Sequence, residues 1–355
     1  MTLEELGYNK ALETWRKDNN YGAFGVGRVL VEHKERYIVK TPENEFESEI
    51  TGNLRYTATE RAAFPAVGDW VAIQSYDEHN AVIHAVFPRK TILERQAVGT
   101  FGEKQIIAAN VDTAFIMQAV DRDFNINRME RYLTLCYSTK VKPVILISKT
   151  DLIDKSGLEA IFQQLKSRNI SVPVIAFSNE NLTGYPEIKS YLKKGETCCF
   201  LGSSGVGKST LINHLTGSEL LRTNVLSLST HKGKHTTSHR ELIVLEGGGI
   251  VIDTPGMREV GIADAGGGLE KVFDIITGLS RHCRYSDCSH ISESGCAVRA
   301  AVEAGDISQQ EYDNFLKMER EKEHFQSTVA EKRKKDKAFG KMVKQVMKEK
   351  KQNRL

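Results

Sequence analysis

The rhythm of apolar and polar positions changes twice along the chain, and each change marks a change of architecture. From residue 21 to about 95 the apolar positions fall in short, partly alternating runs: Phe24, Val26 and Leu30; Tyr37 and Val39; Trp70, Val71 and Ile73 after a Pro-Ala-Val-Gly-Asp turn; Val82, Ile83 and Val86. Such runs, punctuated by Gly and Pro, predict strands of a small closed barrel. From about 100 to 260 strands and helices alternate, which predicts a mainly parallel sheet. Its first strand is read over Ala114 to Met117, and its first helix from Asn127, with Glu130 as the capping-box partner. Met129, Tyr132, Leu133 and Cys136 repeat at helical spacing behind that start. Val144 to Ile147, Val172 to Ala176 and Cys198 to Leu201 read as further strands, and Leu158, Ile161, Phe162 and Leu165 as the apolar face of a second helix. Glu241 to Leu245 and Ile250 to Ile252 predict a hairpin around Gly247, Gly248 and Gly249. Beyond about 263 the pattern is helical, interrupted by a cluster of Cys and His.

At 355 residues, 40% of them apolar, the chain has room for two or three domains. It has no apolar run long enough to span a bilayer and no signal-peptide segment at its start, so a soluble, cytoplasmic protein is expected. The net charge of +3 conceals an asymmetry: Glu331 to Leu355 holds eleven Lys or Arg against three acidic residues, leaving the rest net negative. A basic tail on an acidic body suits a polyanionic partner, and equally a solvated helix end. Of the six cysteines, Cys136, Cys198 and Cys199 lie in apolar segments and read as core.

The sharpest signal is the run Gly202, Ser203, Ser204, Gly205, Val206, Gly207, Lys208, Ser209, a full match to G-x-x-x-x-G-K-[ST]. A predicted strand enters it, and a helix bearing Leu211, Ile212 and Leu215 leaves it to stop at Gly217. In that setting backbone N–H groups and the helix N-terminus cradle phosphate oxygens. Lys208 is expected on the β- and γ-phosphates, Ser209 on Mg²⁺, and Thr210 follows as a further nucleotide contact. Ser148, Lys149, Thr150 and Asp151, after the strand ending at Ile147, resemble the N-K-x-D element that reads guanine. The aspartate accepts from guanine N1–H and N2–H₂, a donor pair adenine lacks, while Ser148 departs from the usual asparagine. Ser178 and Asn179 sit where a backbone contact to guanine O6 is expected. Asp253, Thr254, Pro255 and Gly256 resemble D-x-x-G, with Asp253 holding Mg²⁺ through water and Gly256 sensing the γ-phosphate. Gly233 to Ser238 looks like a first switch, where Thr236 or Thr237 completes the Mg²⁺ shell. The guanine element precedes the phosphate loop, so the domain is circularly permuted. Farther on, Cys283, Cys288, His290 and Cys296 offer three thiolates and one imidazole, a set that suits a closed, structural zinc site.

Together these features resemble the RsgA family: the barrel with Pro65 to Trp70, Ala108 to Asp112, the permuted nucleotide motifs, Gly233 to Thr237 and the zinc cluster. The resemblance covers nearly the whole chain. It implies a multidomain α/β protein with an OB-fold barrel over 1–97, a circularly permuted P-loop GTPase domain over 98–262 and a helical zinc-binding domain over 263–355. It implies a GTPase of late 30S-subunit maturation, stimulated by the subunit, binding 16S rRNA as a monomer. Met257 stands where many small GTPases carry a water-orienting glutamine, which leaves hydrolysis to another group. His235 is the candidate catalytic residue, with a solvated loop histidine as the other reading. Phe24, Tyr37 and Trp70 are available for stacking on RNA, unless they fill the barrel. Two rival functions remain, a P-loop ATPase or kinase, against which Asp151 argues, and an RNA-binding scaffold, against which Lys208, Ser209 and Asp253 argue.

Overall fold

The computed structural model describes residues 1–33, 36–58, 61–96, 104–121, 124–217, 240–254 and 267–326, with Glu331 and Lys334. The chain opens with helix α1, Lys10–Asp18, started by Asn9, whose side chain accepts from the N–H groups of Ala11 and Leu12. Five strands then close a barrel: β1 Gly25–His33, β2 Arg36–Lys40, β3 Glu45–Ile50, β4 Trp70–Ser75 and β5 Asn80–Val86. Their order is β1-β2-β3-β5-β4, closed by antiparallel pairing of β4 with β1, and β3 runs parallel to β5. A short helix, α2 Gly52–Thr57, fills the β3–β4 connection, which completes the OB topology. Alternation in β3 is strict, with Phe46, Ser48 and Ile50 inward. Of the three aromatic residues named for stacking on RNA, Phe24 is half-buried and the other two fill the core. Trp70 and Tyr37 are both 2% exposed and belong to the core, while Tyr56 and Tyr76 are the exposed rings.

Strands β6 Ile92–Gln96 and β7 Lys104–Ala109 form a separate antiparallel pair ahead of the parallel sheet, so Ala114 to Met117 is preceded by a strand absent from the sequence expectation. The sheet proper comprises β8 Thr113–Ala119, β9 Lys142–Ser148, β10 Val174–Ala176, β11 Thr197–Gly202, β12 Glu241–Val244 and β13 Ile250–Asp253. Its order is β10-β9-β8-β11-β13-β12, parallel except for the β12–β13 hairpin. Every residue of β8 and β11 is buried, as befits strands covered on both faces. Edge strand β12 pairs with barrel strand β1 at Val31 and Glu241, so barrel and sheet form one eleven-stranded surface.

Helix α3, Ile126–Ser138, begins one residue before the position expected. Its cap is Asn125, which accepts from Arg128 N–H, so Asn127 and Glu130 form no capping box. Glu130 is instead buried against Arg168, at the end of helix α4, Lys155–Ser167, with Nε to Oε1 at 2.9 Å. Burial pushes the Glu130 carboxyl up, and Arg168 opposes that shift. On α4, Ile161 and Leu165 are buried while Phe162 is 37% exposed.

The C-terminal part is helical, with α7 Gly268–Val272, α8 Asp274–Ser280, α9 Ala297–Ala304 and a helix over 309–326 around a core of Leu269, Phe273, Ile276, Val298, Phe315 and Met318. The intervening helices of the sheet unit are α5 Tyr185–Ser190 and α6 Lys208–Thr216. Among the described residues no helix is long and apolar enough to cross a membrane.

A buried joint ties barrel to sheet. Arg28 of β1 is 1% exposed and donates to Leu6 O at 2.6 Å, Gly68 O at 3.2 Å and Thr197 Oγ1 at 2.8 Å, with its guanidinium over Trp70. Gly68, at φ 93°, lies so close to Ala109 that an added Cβ would stand 2.2 Å from its carbonyl oxygen, so no other residue fits the turn. Asp69, wholly buried, is held by Arg89 through two hydrogen bonds of 2.6 and 2.7 Å. The cysteines expected in the core, Cys136, Cys198 and Cys199, are buried and unbridged, and burial pushes the Cys198 thiol up to about 12.

Candidate functional site

Parallel strands bring their C-terminal ends to one edge, where α/β sheets place their ligand sites. Here that edge collects Ala119, Ser148, Ala176, Gly202 and Asp253. The loops after these strands are also bonded to one another. The phosphate loop leaves β11 at Gly202 and enters α6 at Lys208, with Gly205 and Gly207 at φ 85° and 95°. A Cβ on Gly207 would stand 2.6 Å from Asn179 Nδ2. Lys208 curls back over the loop, its Nζ donating to Gly202 O at 2.8 Å and Ser203 O at 2.6 Å. Gly217, in the left-handed region, ends α6 as expected.

Ser148 is fully buried, and its hydroxyl donates to Val206 O of the phosphate loop at 2.7 Å. The serine thus keeps a strut to the phosphate loop. Lys149, at φ 61°, turns the chain into the 3₁₀ turn Thr150–Leu152, and its Nζ meets Asp121 Oδ2 at 2.8 Å. Ser178 Oγ donates to Asp151 Oδ1, which holds that carboxylate beside the loop after β10. Asn179 Nδ2 donates to Gly207 O at 3.2 Å, and its Oδ1 accepts from Tyr185 OH at 2.8 Å. Three loops separated in sequence therefore share one hydrogen-bonded frame.

Asp253 ends β13 and is 5% exposed. Burial raises its carboxyl to about 6, and the nearby Lys208 ammonium opposes the rise. Thr254 is anchored by its hydroxyl to Phe200 O, fixing the exit from β13 beside β11. Ser203 Oγ accepts from Arg128 Nη1 at 2.6 Å, while Ser204 and Gly205 are exposed and Ser209 and Thr210 are half-buried. His235, Thr236, Thr237, Gly256 and Met257 lie outside the described residues.

Sequence reasoning missed three supports. Asp121 could have been sought as an acidic residue just beyond strand β8, but Arg128 and Tyr185 carried no motif. The loop suits phosphates, with two glycines in the left-handed region, an ammonium and a helix start. A magnesium ion fits beside it, where the Ser209 hydroxyl and the buried Asp253 carboxylate supply hard oxygen donors.

The second cluster is equally compact. The ligand atoms of Cys283, Cys288, His290 and Cys296 all lie within 4.8 Å of one another. Cys283 Sγ stands 3.9 Å from Cys296 Sγ, and His290 Nδ1 stands 3.6 and 3.4 Å from those two sulfurs. A tetrahedron with zinc's usual bond lengths has edges of ~3.8 Å between sulfurs and ~3.5 Å between sulfur and nitrogen. The donor set therefore fits that ion. His290 Nε2 lies 3.1 Å from Ser280 Oγ, a partner that orients the ring. Gly295, at φ 76°, makes the turn into Cys296, which caps α9 by accepting from Arg299 N–H.

A closed OB barrel, a P-loop sheet entered through its guanine element and a helical Cys/His unit define a circularly permuted P-loop GTPase. The family model described as RsgA GTPase matches residues 86–263. The chain is 38% identical to the small ribosomal subunit biogenesis GTPase RsgA 1 of Bacteroides thetaiotaomicron, covering 98% of this chain and 97% of that one. It is 43% identical to RsgA 2 of Lactiplantibacillus plantarum over 83% of each chain. Among solved structures, YjeQ from Thermotoga maritima superposes with a TM-score of 0.60 at 27% identity, over 84% of this chain and 98% of that one. The chain belongs to the RsgA GTPase family.

Proposed function

We propose that this protein hydrolyses GTP during late maturation of the 30S ribosomal subunit, with the subunit as both partner and stimulator. The supporting observation is the shared frame of the three loops, in which Ser148 and Asn179 hold the phosphate loop and Ser178 holds Asp151. In this reading Asp151 accepts from the guanine edge, and Ser148, Lys149, Ser178 and Asn179 shape the base pocket. Gly202 to Thr210 bind the phosphates, and Gly256 senses the γ-phosphate. Magnesium would be held by Ser209, Asp253 and Thr236 or Thr237, and when bound would neutralise charge on the β- and γ-phosphates. His235 orients the attacking water when the subunit is bound. Zinc at Cys283, Cys288, His290 and Cys296 is structural, since four protein ligands leave no open position.

Three functional units divide near residues 97 and 263. The barrel and the basic tail contact 16S rRNA, the exposed Tyr56 and Tyr76 being better placed for stacking than the buried Trp70 and Tyr37. The protein works as a cytoplasmic monomer. The test is GTP turnover titrated with purified 30S subunits. Saturable stimulation is expected, and phosphate release unchanged by subunits would overturn the reading. Competition by ATP at equal concentration should have little effect.

A further inference from the structure

A cavity of about 380 Å³ opens where the barrel, the β6–β7 pair and the start of β12 meet. Proteins hold small ligands in cavities of ~300–1,000 Å³, so this space is adequate for one. Glu32 and Tyr37 line it from the barrel, Arg61 and Phe64 from the β3–β4 connection, Gln105 from β7, and Arg240 from the residue before β12.

Its charge is lopsided. Two guanidinium groups, Arg61 and Arg240, share the lining with a single carboxylate, Glu32. Gln105 draws in a third, since its Oε1 accepts from Arg95 Nε at 3.3 Å and Nη2 at 3.1 Å. The positive groups disfavour one another: burial lowers the Arg240 pKa, and the charges of Arg95 and Arg61 lower it further, against Glu32. Arg240 Nε is buried and has no hydrogen-bond partner among the described residues. A buried donor left unpaired calls for an acceptor, and an anion in this cavity would supply one. The guanidinium fork matches the geometry of phosphate oxygens.

We infer that this cavity is a second phosphate-binding site, separate from the nucleotide loop, which takes a phosphate ester on Arg240 and Arg61. Such a group can come from an RNA backbone or from a free phosphorylated molecule. The position gives the site a consequence. Arg240 is covalently joined to Glu241, whose strand pairs with the barrel at Val31, and it stands two residues after Ser238, the last of the first-switch sequence. A ligand held by Arg240 and Arg61 therefore bridges the start of β12 and the β3–β4 connection of the barrel.

The inference goes beyond the proposed function, and its test uses no ribosome. The full chain is saturated with GDP and Mg²⁺ to occupy the nucleotide loop. It is then titrated by calorimetry with inorganic pyrophosphate and, separately, with single-stranded RNA of about ten nucleotides carrying a 5′-hydroxyl. Arg240→Gln should weaken the responding ligand by about tenfold or more, and Arg61→Gln by less, because Arg61 is the more exposed. Glu32→Gln should tighten the same ligand by about threefold. That gain cannot come from a folding defect. Response of pyrophosphate alone assigns the site to free phosphates, and response of RNA alone assigns it to a phosphodiester. If wild-type protein binds neither ligand, or if both variants at Arg240 and Glu32 leave affinity unchanged, the inference is overturned.

Discussion

The replacement Ser148→Ala isolates the strut between the guanine element and the phosphate loop. Ser148 is fully buried and gives its 2.7 Å hydrogen bond to the carbonyl of Val206, itself 1% exposed. Alanine removes the donor without filling new space. The orphaned carbonyl then costs ~1–3 kcal/mol if the loop stays in place. A loop that shifts to find water avoids the cost but leaves the binding conformation. Either way the binding-competent fraction falls, and apparent affinity falls with it. The upper part of that energy range corresponds to about a hundredfold and the lower part to about fivefold. GDP affinity is measured by calorimetry, with a thermal melt confirming that the variant is folded. GDP affinity within about twofold of wild type, in a folded variant, would show that Ser148 is not a strut.

Asp151→Asn should lower GTP affinity by about tenfold or more, and should favour a xanthine nucleotide, whose C2 oxygen can accept from the new amide; equal GTP binding in a competition assay would count against the base-reading role. His235→Ala should abolish subunit-stimulated turnover while sparing GDP affinity, and unchanged stimulated turnover in a phosphate-release assay rejects the assignment. Glu130→Ala leaves Arg168 buried without its carboxylate and also deprives Asn314 of an acceptor, so chemical denaturation should show a loss of ~3–5 kcal/mol. A change below ~1 kcal/mol would mean the pair is not a structural tie. Cys296→Ser should lose bound zinc by elemental analysis and lower the melting temperature of the C-terminal unit; full zinc occupancy in that variant would contradict the ligand set.

How far the sequence could be read depended on how local each cause was. The phosphate loop, the hairpin at Gly247 to Gly249 and the stop at Gly217 are decided by neighbours within one or two turns, and all stand where the pattern placed them. The Cys/His cluster was legible for the same reason, its four ligands lying within fourteen residues. Glu130 shows the opposite case. Its spacing from Asn127 mimics a capping box, yet its partners are Arg168 and Asn314, 38 and 184 residues away. Arg28 gave no sign at all of its buried role, because its acceptors come from Leu6, Gly68 and Thr197. Which aromatic rings face solvent was likewise a matter of barrel closure. Between stacking on RNA and filling the barrel, the choice for Trp70 is made by Tyr8 and Arg28, which pack against its ring.

The pairing of β1 with β12 makes the barrel and the nucleotide-binding sheet parts of a single woven fabric. A unit attached that way is not a pendant on a tether. It cannot be exchanged for a barrel of another origin without re-knitting the seam at Val31 and Glu241, and any tilt imposed on it by a large docking partner arrives in the sheet as torsion.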